Sequence, residues 1–194
     1  GFQPSLDLIF SLCPNERQTL LFSATFPDQI KSISRNIMQD PVTVKVTETH
    51  NAKTIRQRFY SVDDNSERTM AVRLLLQEYQ PETALIFCTT KVETQELADD
   101  LHSFGFSTSA LHGDLEQKDR DQTLVRFSNK SLSVLVATDV AARGLDIDNL
   151  DMVINYHIAR DPEVHVHRIG RTGRAGSKGI ACSLISEKEV QKVI

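Results

Sequence analysis

Residues 167–174 read HRIGRTGR and carry three guanidinium groups, Arg168, Arg171 and Arg174, at intervals of three, with Gly170 and Gly173 between them. Arginine keeps its charge at every physiological pH, and its planar fork matches phosphate oxygens. On a helix, groups three apart lie roughly along one side, and glycine lets the backbone turn tightly or approach a ligand. A solvated basic helix end favoured by the macrodipole would account for isolated arginines. The regular spacing and the glycines favour an anion site instead.

Neighbouring residues offer less. His165 and His167 are two apart, so a helix points them to different sides; even with Cys182 in the same region, no metal site is expected. The string GRTGRAGSKG lacks the G-x-x-x-x-G-K-[ST] order, because Lys178 follows Ser177 and precedes Gly179. Ser23 does not sit in a nucleophile elbow.

The elements that must position these groups follow from the apolar pattern. Runs bounded by turn residues occur at 19–23, 55–62, 83–88, 107–111, 133–138, 151–156 and 179–185. Most lack polar alternation, as strands buried on both faces do. Helical segments lie between them. Residues 66–79 are amphipathic, and 92–104 place Leu97, Leu101 and Phe104 on one stripe that stops at Gly105. Asp114 and Gln117 match a capping box for the helix carrying Leu124 and Phe127. Asp161-Pro162-Glu163 and Ser186 with Glu189 start two more. This alternation predicts an α/β domain, a parallel sheet with helices on both faces. Ligands of such sheets gather beyond the carboxyl ends of the strands. That rim is expected to collect Thr90 and Lys91, then His112 to Asp114, then Asp139 to Asp146, then His157 and the arginine segment. Few of these are carboxylates, which suits phosphate.

Residues 46–54 (VTETHNAKT) are polar, lack a period and read as a linker. Residues 1–45 are expected to form a helix, a strand ending in FSAT, a second helix and a short strand VTVKV. So short a stretch cannot bury its own core, which marks it as the tail of a preceding domain, with 55–194 as the main domain. The 194 residues are 40% apolar and 25% charged, an ordinary globular balance. A net charge of −4 excludes a whole-molecule basic field, so any nucleic-acid contact must be a local patch. No run approaches the ~18–20 apolar residues that span a bilayer, and no secretory signal is visible. Three cysteines fit neither a disulfide framework nor a zinc spacing and point to a reducing cytoplasmic setting.

Five segments occur in a fixed order: FSAT at 22–25, LIFCTTK at 85–91, LHGDLEQKDR at 111–120, VATDVAARGLDI at 136–147 and HRIGRTGR at 167–174. In this order the chain resembles, over essentially its whole length, the DEAD-box RNA helicases of superfamily 2, with residues 1–45 matching the end of the first of their two RecA-like domains and 55–194 the second. Any one segment is a weak signal; the ordered set is specific. The wording HGDLEQKDRDQTLVRF and DPEVHVHRIGR is similar to a bacterial branch that acts on large-subunit ribosomal RNA, so that RNA and a part in ribosome assembly are expected.

The resemblance implies residue roles. Arg171 and Arg174 match the catalytic arginines that reach the γ-phosphate, while Gly144 and Asp146 match the ATP-binding positions, Asp146 taking the ribose hydroxyls. Thr90, Lys91, Gly113, Gln117, Arg120, Thr138 and Arg143 match positions that hold the RNA backbone. His167, with Ser23 and Thr25 of the SAT segment, matches an interdomain coupling set. ATP with Mg2+ would be bound mainly by a first RecA-like domain, an obligatory partner. Without the resemblance, Asp146 reads as a turn carboxylate, Gln117 and Arg120 as an ordinary first helical turn, and His167 as a packed helix histidine. Neither a Walker A lysine nor D-E-A-D occurs, so the chain alone is expected to bind ATP poorly and not to hydrolyse it. Two alternatives stand: a non-enzymatic RNA-binding half-protein or scaffold, and the motor half of a DNA translocase. Residues 1–45, stripped of a sheet, are expected to expose apolar surface and to fray or to pair with a second copy through 19–25.

Overall fold

A strand persists only where its backbone groups find a ladder partner, and this separates the two parts of the chain. The computed structural model describes residues 3–23, 28–44, 54–143, 145, 147–173, 178–187 and 189–190. Backbone proximity divides it into two units, Gly1–Glu48 and Thr49–Ile194. In the first, helices α1 (Gln3–Leu12) and α2 (Asp28–Ile37) form as expected. The strands expected at 19–23 and from Val42 do not: residues 18–23 and 41–44 are neither helix nor strand. No ladder partner is present for them among the described residues. Helix α1 buries no side chain, and Leu12, Leu20, Phe22 and Val42 are 78%, 65%, 88% and 89% exposed. The linker expected at 46–54 lies outside the described residues apart from Thr54.

The second unit starts with β1 (Ile55–Ser61) and α3 (Asn65–Tyr79). There follow β2 (Ala84–Cys88), α4 (Lys91–Ser103), β3 (Thr108–Leu111), α5 (Gln117–Ser128) and β4 (Val134–Thr138). It ends with α6 (Asp139–Ala142), β5 (Met152–Asn155), α7 (Pro162–Ile169) and β6 (Gly179–Ile185). The six strands make one parallel sheet in the order β1-β6-β5-β2-β4-β3. Each apolar run predicted as a strand in this unit is one. All residues of β2 and β5 are buried, which a parallel sheet covered on both faces requires.

Alternate side chains feed two cores. On one face Ile86, Val136, Ile154 and Leu184 pack with Val72 and Leu76 of α3 and Leu97 and Leu101 of α4. On the other, Leu85, Phe87, Leu135 and Val153 pack with Phe127 of α5 and Ala141 of α6.

Local signals set the helix ends. Asp64 Oδ1 accepts from Glu67 N at 2.9 Å to start α3. Asp161 caps α7, with proline in its first turn. Helix α4 stops where Gly105, at φ +89°, lets Phe106 N donate to Leu101 O at 3.1 Å. The capping box expected from Asp114 and Gln117 does not form. Helix α5 begins after Glu116 with no side-chain cap. Asp114 turns away in the bend after His112 and pairs with Lys91, and Gln117 donates to Asp121. A full ammonium charge outcompetes a backbone amide for the carboxylate.

Gly179 answers to close packing rather than to turn geometry. A Cβ there would lie 2.0 Å from Thr172 Oγ1, whose hydroxyl is already pinned as a donor to Leu150 O. Gly179→Ala is expected to lower unfolding free energy by about 1–3 kcal/mol, and Gly105→Ala by about 1 kcal/mol. Urea titration measures both, and an unchanged midpoint for Gly179→Ala would contradict the packing argument.

Candidate nucleic-acid interface and nucleotide rim

Register aligns the loops that matter. Cys88 of β2 lies opposite Thr138 of β4, and Leu111 of β3 opposite Ala137, so three adjacent strands release their chains side by side. Thr90 and Lys91 follow β2, Gly113 follows β3, and Thr138 ends β4. Both threonines cap helices. Thr90 Oγ1 accepts from Glu93 N at 3.2 Å and donates to Glu93 Oε2 at 3.1 Å. Thr138 Oγ1 accepts from Ala141 N at 3.3 Å, which leaves its proton directed elsewhere.

Lys91 Nζ meets Asp114 at 2.7 Å with both side chains more than half exposed. Its hydrogen bond holds the Asp114 carboxyl below the usual carboxylate range. Such a solvated pair is readily exchanged for another anion. Gly113 is exposed, and a Cβ there would meet nothing within 4 Å. Arg120 Nη2 donates to Ala141 O at 2.6 Å, tying α5 to α6, while Arg143 closes α6 and is exposed. Gln117 is exposed with its amide on Asp121. The segments leaving β2, β3 and β4 thus bring hydroxyl, amide, ammonium and guanidinium groups to one end of the sheet, group types that can hold phosphate and sugar without reading bases.

The arginine segment departs from the expectation of one face and one rim. Helix α7 ends at Ile169 and Gly170 follows as its cap, so Arg168 and Arg171 are not on a common helical side. Arg168 is 4% exposed. Its Nε and Nη2 each donate to Asp139 at 2.7 Å, and Nη1 donates to His157 O at 2.7 Å and Asn155 Oδ1 at 3.2 Å. Its guanidinium carbon lies 5.1 Å from the Phe87 ring centre. Arg171 lies at the other end of the strands. Its carbonyl accepts from Leu150 N at 3.1 Å, and Thr172 bridges Leu150 just ahead of β5. Its Nη1 donates to Leu145 O at 3.1 Å and Asp148 Oδ1 at 3.3 Å, and the side chain stays 22% exposed. Two separate surfaces result, because α7 travels back along the sheet between them. Arg174, Gly144, Asp146 and Thr25 lie outside the described residues. Ser23 and His167 are both exposed, His167 in the last turn of α7.

A third cluster had no signal in the sequence beyond the Ser186-Glu189 helix start. His157 sets Nε2 2.9 Å from Glu93 Oε1 and Nδ1 3.3 Å from Glu189 Oε1. Glu189 Oε2 accepts from Ser186 N and Oγ at 2.8 and 2.9 Å and from the buried Arg68. Arg68 also donates to the carbonyls of Tyr156 and Leu184. Burial pushes the Glu189 carboxyl up, but the Ser186 amide and the Arg68 guanidinium outweigh it and leave it below its ordinary value.

Sequence and fold match known proteins. The sequence profile of the helicase conserved C-terminal domain covers residues 67–176. ATP-dependent RNA helicase DbpA of Escherichia coli K12 is 49% identical over 192 residues, which are 99% of this chain and 42% of DbpA. DEAD-box ATP-dependent RNA helicase RhpA of Helicobacter pylori 26695 is 41% identical over 195 residues, 100% of this chain and 39% of RhpA. A DEAD-box protein of the hyperthermophile Methanococcus jannaschii superposes with a TM-score of 0.68 at 39% identity, covering 100% of this chain and 52% of that one. Dbp5 of S. cerevisiae bound to RNA and ADP BeF3 superposes with a TM-score of 0.83 at 32% identity, over 100% of this chain and 51% of Dbp5. The chain belongs to the helicase conserved C-terminal domain family and has the RecA-like α/β fold of the DEAD-box proteins it superposes on. DbpA represents the bacterial branch to which its HGDLEQKDRDQTLVRF wording is similar, and the chain spans under half the length of these curated relatives. Among the described residues no helix is long and apolar enough to cross a membrane.

Because the folded Glu189 value is depressed, its stabilising effect is complete above the ordinary glutamate value of about 4.3 and is lost as pH falls through the lower folded one. Glu189→Gln is expected to lower the melting temperature near neutrality and to lose that deficit in melts below about pH 4. An equal deficit at both pH values would contradict the linkage.

Proposed function

We propose that this domain supplies arginine fingers to ATP and holds the backbone of single-stranded RNA during local unwinding, with large-subunit ribosomal RNA and ribosome assembly as its setting. The observation that carries this reading is the alignment of the segments leaving β2, β3 and β4 into one edge of phosphate and sugar donors. Thr90, Lys91, Gly113, Gln117, Arg120, Thr138 and Arg143 form that RNA edge. Arg171, on the separate surface before β5, takes the nucleotide, a role the family resemblance extends to Arg174, Gly144 and Asp146. Arg171 fits a phosphate: it is partly exposed, and among the described residues only its Nη1 is engaged.

ATP with Mg2+, bound mainly by a first RecA-like domain, supplies the phosphoryl group. The role of Arg171 and Arg174 is positive charge at that group, where an arginine finger is worth ~10³–10⁵ in rate. His167, Ser23 and Thr25 would couple the two domains. The apolar exposure of Leu12, Leu20 and Phe22 supports residues 1–45 as part of that first domain, pairing in its absence with a second copy.

The isolated chain is expected to bind single-stranded RNA in preference to DNA and to show no RNA-stimulated ATP turnover in a steady-state assay. Clear turnover would overturn the division of labour. In filter binding, Arg120→Ala and Arg143→Ala should weaken RNA about tenfold each, with a shallower salt slope. Gly113→Ala, sterically free in the fold, should weaken RNA without lowering the melting temperature. Strong binding that survives all three changes would remove the RNA edge from this surface. With the upstream domain present, Arg171→Ala should lower kcat by about 10³ or more; unchanged turnover there, with RNA binding intact, would favour the scaffold reading.

A further inference from the structure

Arg168 belongs to neither surface and touches the supports of the RNA edge. Its four hydrogen bonds go to Asp139, His157 O and Asn155, and its guanidinium stacks on Phe87 beneath the rim. A side chain 4% exposed and so fully engaged does not bind a ligand itself. What it fixes is the start of two helices. Asp139 directly follows the cap Thr138 and its carbonyl accepts from Arg143 N at 3.0 Å, so the fork on its carboxylate orients α6 from cap to exit. The carbonyl of His157 receives the third branch. The ring of that residue holds Glu93, whose other oxygen accepts from the cap Thr90. Three residues further on from Arg168 the chain reaches Arg171.

We propose that Arg168 is a positioning residue for RNA binding: by clamping Asp139 and the His157 carbonyl it sets the hydroxyls of Thr138 and Thr90 in register to grip consecutive sugar-phosphate units of one strand. The inference rests on the reading of this edge as the RNA surface. Its physical basis is that only a planar fork grips both oxygens of Asp139 while reaching His157 and Asn155 with the same group; a lysine ammonium keeps the charge and loses the geometry.

The test is fluorescence anisotropy of the chain with a labelled single-stranded uridine decamer, run on Arg168→Lys, on Thr90→Val with Thr138→Val, and on all three together, alongside thermal melts. Arg168→Lys is expected to weaken RNA about tenfold while melting cooperatively above the assay temperature. On the background lacking both hydroxyls it should add less than about twofold, because the loss runs through them. Combined with Gln117→Ala, on a different helix, its effect should remain additive. Unchanged affinity of Arg168→Lys, or losses that add fully to those of the threonine variants, would overturn the positioning role. If the threonine changes themselves leave affinity intact, the reading of the RNA edge falls and the proposal with it, a result distinct from loss at the threonines without loss at Arg168. Should Arg168→Lys fail to fold, Asp139→Asn, which keeps the shape of the acceptor and removes its charge, carries the same comparison.

Discussion

A parallel sheet cannot leave either face to water, and everything else in the larger unit follows from that constraint. Each strand must be followed by a crossover that covers one face, so α3 and α4 lie over one side and α5, α6 and α7 over the other. The crossovers force the chain to leave every strand at the same end. The wholly buried β2 and β5 are the consequence in composition, and the alignment of Thr90, Gly113 and Thr138 is the consequence in chemistry. No residue has to be placed by a dedicated device; the sheet delivers the loops.

Within that frame, electrostatics is local. The chain as a whole is negative, and several of its cations are bound to carboxylates, among them Lys91 to Asp114, Arg68 to Glu189, Arg168 to Asp139 and Arg171 to Asp148. What distinguishes them is burial. Arg68 and Arg168 are interior struts, and taking away one partner of such a pair leaves an uncompensated charge at a cost of about 3–5 kcal/mol. Lys91, solvated on both sides, can trade its carboxylate for a phosphate at little cost, and Arg171 stands between these extremes. The three arginines of one short segment are therefore not equivalent, although their spacing makes them look so.

The first unit shows the same constraint from the other side. Its helices form because their bonds are internal, but segment 18–22 joins no strand ladder among the described residues. Leu20 and Phe22 remain open to solvent, which is where a covering sheet or domain would lie.

The sequence alone determined the strands of the larger unit, its helices apart from the short α6, the parallel α/β class and the family, because these depend on local period, on caps such as Asp161-Pro162 and on short segments in fixed order. It also identified which loops leave β2, β3 and β4. Where contacts span long stretches of chain, it was silent or misleading. The helix stop at Gly170, which parts Arg168 from Arg171, the grip of Arg168 on Asp139 and the bridging of Glu93 and Glu189 by His157 required the fold. So did the preference of Asp114 for Lys91 over a helix cap. Spacing along a chain measures distance only within one element; between elements, what a charged group meets is decided by how the sheet is wound, and only the tertiary structure contains that.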